Sequence, residues 1–129
     1  MKPTNATVNA GNGVLNWRPL VTQADSTNPF SVVVTDNGSP ALSATQSFNV
    51  VVNPLTLPGV TTPGIVAGQF IFLVNGQAGP DYAVQGSSNL VNWDTLLITN
   101  PRTMPFSWNT NVGALPARFY RIKVGPPLP

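Results

Sequence analysis

Apolar and polar residues alternate along most of this chain, and turn-forming residues break the alternation every 8 to 14 residues. Period two with closely spaced turns is the pattern of short strands in a β-sandwich. Gly13-Val14-Leu15-Asn16-Trp17 predicts a strand closed by Arg18-Pro19, and Phe30-Ser31-Val32-Val33-Val34-Thr35 predicts a second. Asp36-Asn37-Gly38-Ser39-Pro40 is a turn by composition. The strand that follows, Ala44 to Val52, puts Phe48, Val50 and Val52 on one face. These two runs and their turn form the strongest hairpin signal of the first half.

Residues 54–64 contain Pro54, Pro58, Pro63, Gly59 and Gly64. Proline removes ladder donors and fixes φ, so this stretch predicts a linker, or a crossover at a sheet edge. It divides the chain into a β part over residues 1–53 and another over residues 65–125, with a tail at 126–129. The two parts are small enough that one shared core is an open alternative. In the second part Gln69 to Val74 is apolar on both faces and predicts a central strand. Asn75-Gly76 opens a turn running to Gly79-Pro80. Further strands are predicted at Tyr82–Gly86, Trp93–Thr99, Phe106–Trp108 and Arg118–Val124. In the last of these, Tyr120, Ile122 and Val124 form the apolar side, and Phe119, Arg121 and Lys123 the opposite one. No stretch sustains a helical period.

Composition sharpens the all-β reading. Val (16) and Thr (13) exceed a fifth of the 129 residues, and Glu is absent, a balance favouring strands over helices. Only ten residues are charged, six Lys or Arg and four Asp. Six scattered cations do not make a phosphate-tracking stripe, so nucleic acid is not expected as a partner. No apolar run is long enough to span a membrane as a helix, and Met1 to Asn5 lacks the apolar stretch of a signal peptide. The absence of Cys fits either a reducing compartment or a bacterial secreted or cell-surface module that relies on packing, and a charge-poor surface rich in Asn, Thr, Gly and Pro favours the second.

The same arithmetic narrows the chemistry. With no His and no Cys there is no His- or Cys-based nucleophile, zinc site, Fe–S site or disulfide, and no cofactor is expected. A carboxylate pair is the remaining hydrolytic device, and it requires two carboxyls roughly 5–9.5 Å apart. Asp25, Asp36, Asp81 and Asp94 fall in four different predicted turns or strand ends. Ser87-Ser88 has no sequence-local base, and no Gly-x-Ser-x-Gly elbow occurs. Asn5-Ala6-Thr7 fits a glycosylation sequon, read here as coincidental.

Two segments carry family resemblances. Residues 12–53, through Gly13-Val14-Leu15-Asn16-Trp17-Arg18-Pro19, Phe30 to Pro40 and Ser47 to Val52, resemble the later strands of Ig-like and cadherin-like repeats of bacterial surface proteins. The first strands of such a repeat are missing, which leaves exposed edges and makes a homodimer through strand pairing or swapping an expectation. Residues 68–125, through Tyr82-Ala83-Val84-Gln85-Gly86-Ser87-Ser88-Asn89-Leu90-Val91-Asn92-Trp93 and Arg118-Phe119-Tyr120-Arg121, resemble a fibronectin-III-like C-terminal module of secreted proteins of the Verrucomicrobia and Planctomycetes type. The resemblance implies an Ig/fibronectin-III-like β-sandwich and a non-catalytic accessory role. It also sets Asp36 at a cadherin calcium position, although the converging carboxylates calcium needs are missing. The competing reading is a turn Asp that accepts from its own backbone.

Aromatic residues then become the candidate site. Sugar rings pack on flat aromatic faces, with amides and charged groups on the hydroxyls, and alternate residues on a strand lie ~6.6 Å apart. Trp93, Tyr120 and Trp17 are expected in the core. Trp108, among Ser107, Asn109, Thr110 and Asn111, is the tryptophan expected at the surface. Phe106 shares its face, and Phe119 lies on a polar face with Arg121. The expected site is therefore Trp108, Phe106, Phe119, Arg121 and Asn109, binding a β-glucan-like polysaccharide. The alternatives are a spacer or adhesion module with no small ligand and, behind it, a small glycoside hydrolase built on an Asp pair.

Overall fold

The computed structural model describes residues 2–113 and 118–128. It is all-β, with no α-helix among the described residues. The chain divides into two compact units, Met1–Pro54 and Leu55–Pro129.

Unit 1 contains β1 (Thr7–Val8), β2 (Leu15–Asn16), a short 3-10 turn at Val21–Gln23, β3 (Ser26–Thr35) and β4 (Ser43–Val52). β3 and β4 pair antiparallel over their full ten residues, with Phe30 opposite Phe48 and Val34 opposite Ala44. β3 starts earlier than its apolar run suggests, because Pro29 is accommodated opposite Asn49 in a sheet of only two strands. The expected strand at Gly13–Trp17 reduces to the two residues of β2, paired with β1.

One face of the hairpin carries the small core of this unit. Phe30 is buried, Phe48 lies parallel to it at 5.3 Å, and Trp17 meets Phe30 edge-on at 5.2 Å. Asn5 ties these elements together: its Oδ1 accepts from Trp17 Nε1 at 3.0 Å and from Gln23 Nε2 at 3.2 Å, and its Nδ2 donates to the Arg18 carbonyl at 2.7 Å. The sequon asparagine thus has its amide committed to holding the chain ahead of the hairpin. Towards the hairpin tip the same face is bare, with Val34 68% exposed.

Unit 2 contains β5 (Gly59–Val66), β6 (Gln69–Asn75), β7 (Asp81–Ser87), β8 (Asp94–Thr99), β9 (Phe106–Asn111) and β10 (Phe119–Gly125). They form two antiparallel sheets, ordered β5-β6-β9 and β10-β7-β8. Phe72 and Val74 of β6, Trp108 of β9, and Tyr82 and Val84 of β7 make one buried cluster. Leu97, Phe106, Tyr120, Ile122 and Val124 pack around it. The core therefore lies between the two sheets, as in a sandwich. β6 and β7 are the middle strands, which explains the two-sided apolar character of Gln69–Val74.

The stretch expected to be a linker at 54–64 contains the first six residues of β5. Pairing runs Thr61 to Leu73 and then Gly64 to Ile71, so Thr62 and Pro63 together face Phe72. Proline is tolerated because it falls in this bulge, on a strand at the sheet edge. Ala67 and Gly68, both at positive φ, close the β5–β6 turn between paired Val66 and Gln69, the geometry of a two-residue hairpin whose twist suits the strands. The chain next changes sheet between β6 and β7. There the Tyr82 hydroxyl donates to the Gln77 carbonyl at 2.7 Å and accepts from the Gln77 N–H at 3.0 Å. A Cβ on Gly76 would lie 2.5 Å from that hydroxyl, so glycine is required where the corner closes. In the expected tail, Leu128 turns back and packs against Gly125; Pro129 lies outside the described residues.

Candidate functional site

β7 is buried on both faces, and the covering of its outward face is a connected polar cluster. Gln85 faces outward, opposite Arg121 on β10 and Thr95 on β8. Arg121 Nε donates to Gln85 Oε1 at 2.8 Å, and Gln85 Nε2 donates to Thr95 Oγ1 at 3.0 Å. Both ends of a buried amide are thereby satisfied. The Arg121 guanidinium carbon also lies 4.1 Å from the centroid of the Trp93 ring, a cation–π contact.

The loop before Trp93 explains how the ring is held. Ser87 Oγ accepts from the Asn89 and Leu90 N–H groups, and Asn89 Oδ1 accepts from the Val91 and Asn92 N–H groups. Leu90 takes a positive φ, and its carbonyl accepts from Trp93 Nε1 at 3.1 Å. Side-chain oxygens of this kind give a tight turn the partners its backbone lacks. The two segments that carried the second resemblance thus meet in space, and their polar residues bond mostly to each other.

The five residues expected to form a sugar site do not converge. Trp108 is a correction: it is 9% exposed, 5.1 Å from both Phe72 and Tyr120, in the core. Its polar neighbours Ser107 and Asn109 occupy the other face of β9, which is exposed, as period two requires. Phe106 shares the inward face and meets Tyr82 at 5.9 Å. Asn109 lies on the outer face of the β5-β6-β9 sheet, opposite Ile71. Phe119 and Arg121 lie on the outer face of β10-β7-β8, where Phe119 is 40% exposed. Trp93, expected as a buried anchor, is instead half-buried beneath Arg121. Trp17 and Tyr120 are half-buried, each packed on a phenylalanine.

Carboxylates are not paired within either unit. Asp25 precedes β3 and Asp36 follows it, so ten strand residues separate them. Asp81 pairs with Gly125 and Asp94 with Gly86, at opposite ends of β7, about 17 Å apart at ~3.3 Å per residue. Both separations exceed the ~9.5 Å upper bound for a glycosidase pair. Asp36 Oδ1 accepts from Leu42 N–H at 2.9 Å and Gly38 N–H at 3.0 Å, which hold its pKa below the ordinary 3.8. No group of three or more His, Cys, Asp or Glu gathers among the described residues, and no described helix is long and apolar enough to cross a membrane.

A cleft of about 310 Å³ opens between β5 and β10, lined by Val60, Phe70, Phe72, Tyr120 and Ile122, with Arg118 and Phe119 also on its wall. Its signal in sequence is only the inward period of β10; the residues from β5 and β6 join it through the fold. Comparison of the chain with protein-family models, curated proteins and solved structures finds no match.

Proposed function

We propose that this chain is a non-catalytic accessory module of a larger bacterial extracellular protein, acting as a spacer or adhesion element. Unit 1 serves as an incomplete Ig-like part and unit 2 as a fibronectin-III-like sandwich. The observation that carries the reading is the spending of side chains: Ser87, Asn89, Trp93, Gln85 and Arg121 satisfy one another and their own backbone. A binding surface presents such groups to a ligand; here they fasten the fold. The strand order of unit 2, with its first, second and fifth strands in one sheet and its sixth, third and fourth in the other, supports the fibronectin-III-like assignment.

A second reading, binding of a β-glucan-like polysaccharide, draws on one observation. Phe119 and Arg121 share the outer face of β10, and Trp93 lies beside them under the guanidinium. Affinity electrophoresis in soluble β-glucans, with pull-down on cellulose, separates the two. The spacer reading expects unchanged mobility and no retention. Retardation that disappears in Phe119→Ala would replace it with the carbohydrate reading and place the site on β10.

A further inference from the structure

The open side of unit 2 combines three features along one line. β10 stands at the edge of its sheet, with β7 as its single strand neighbour and no strand on its far side among the described residues. Such an edge is a template for another strand. Beside that edge runs the cleft lined by Val60, Phe70, Phe72, Tyr120 and Ile122. Tyr120 and Ile122 contribute to it at period two, so an added strand would direct every second side chain into the same cavity. About 310 Å³ is at the low end for a ligand pocket, a size suited to a few aliphatic side chains.

The third feature is charge. Arg118, Arg121 and Lys123 bring three of the six cations of the chain onto six consecutive residues, with no acid among them. Arg121 and Lys123 point to the outer face of β10, and Arg118 stands at the cleft. Opposite charges on neighbouring strands attract, whereas like charges repel. A basic edge strand therefore deters pairing with a copy of itself, and selects a partner of the other sign.

We infer that β10 is a docking edge for an extended acidic segment of a partner protein, which adds as a strand with apolar residues in the cleft and Asp or Glu beside Arg118 and Lys123. This goes beyond the spacer reading and does not depend on it, because glycan assays probe the outer face and strand addition probes the edge.

The test uses the full chain and a labelled peptide as long as β10, alternating glutamate with valine, against the same peptide with lysine for glutamate. Fluorescence anisotropy should show saturable binding of the acidic peptide, about tenfold or more tighter than the basic one and weakening with salt. Bound peptide should slow hydrogen exchange at the β10 amides, and Arg118→Glu with Lys123→Glu should reverse the preference between peptides. The urea midpoint of that double variant checks that the fold is retained, and the comparison of peptides on the unaltered chain stands without it. Equal binding of the two peptides, no binding, or protection confined to β4 or β5 would overturn the inference. Saturation of the cleft by phenylacetate with no strand addition would overturn it in favour of a small-molecule pocket.

Discussion

The two units contain similar residues but achieve cohesion differently. Unit 2 closes two sheets over Phe72, Val74, Tyr82, Val84 and Trp108, so each strand has a neighbour in its sheet and a partner across the core. Unit 1 has one long hairpin, and its large buried side chain is Phe30. An isolated two-stranded sheet is marginal in water. What holds this one is the packing of Trp17 and Phe48 on Phe30, and the Asn5 amide that binds the preceding chain. The comparison teaches that alternation alone does not make a core; a second apolar layer has to face it.

The comparison breaks most clearly at the core of unit 2. Phe72→Ala should cost about 3–5 kcal/mol through lost burial and the cavity left behind, read as a lower urea midpoint and faster exchange of β6 and β7 amides. A change of less than about 1 kcal/mol would mean that the two sheets do not share this core. Next comes the corner. Gly76→Ala places a methyl against the Tyr82 hydroxyl, and Tyr82→Phe removes the hydroxyl and its two hydrogen bonds to Gln77. The Phe variant should lose about 1–3 kcal/mol. If the clash alone makes Gly76→Ala harmful, adding it to Tyr82→Phe should cost less than adding it to the unaltered chain.

Unit 1 supplies the next smaller effect. Asn5→Ala strips the partner from Trp17 Nε1 and Gln23 Nε2, a loss of about 1–2 kcal/mol for half-buried donors. It should appear as red-shifted Trp17 emission and faster exchange near Arg18, with β5 to β10 unchanged. The smallest effect is electrostatic and local. The folded-state pKa of Asp36 is depressed by the Leu42 and Gly38 N–H groups. Its contribution is therefore present above the ordinary aspartate value and lost as pH falls through the folded one. Exchange at the Gly38 and Leu42 amides, corrected for intrinsic rates, should quicken on acidification below about pH 4. Asp36→Ala should remove that pH dependence.

Much of the architecture was legible because period two and turn composition are local. The inward set Tyr120, Ile122 and Val124, the central strand at Gln69–Val74 and the long hairpin all follow from neighbours in sequence. Three features were not legible. β5 was hidden by Pro63, whose missing donor costs little at a bulge on an edge strand. Trp108 was misplaced because its adjacent residues are polar, although in a strand those residues report on the opposite face. Applied strictly, the alternation of Phe106, Trp108 and Thr110 would have put it inside. Trp93 has no local signal for its position, since the group that covers it, Arg121, comes from the last strand. The separation of the five candidate residues was hidden for the same reason: convergence of side chains is a property of register between strands, which composition does not encode.

The central claim is that the aromatic residues of unit 2 serve the fold, with Trp108 in the core and Trp93 under Arg121. It is tested most directly by acrylamide quenching of two variants that retain one tryptophan each. One carries Trp17→Phe and Trp93→Phe, leaving Trp108; the other carries Trp17→Phe and Trp108→Phe, leaving Trp93. Both are first checked for an unchanged fold by circular dichroism. The account predicts blue-shifted, weakly quenched emission from Trp108, and a larger quenching constant for Trp93 that rises further in Arg121→Ala. Red-shifted, readily quenched emission from Trp108 would contradict it.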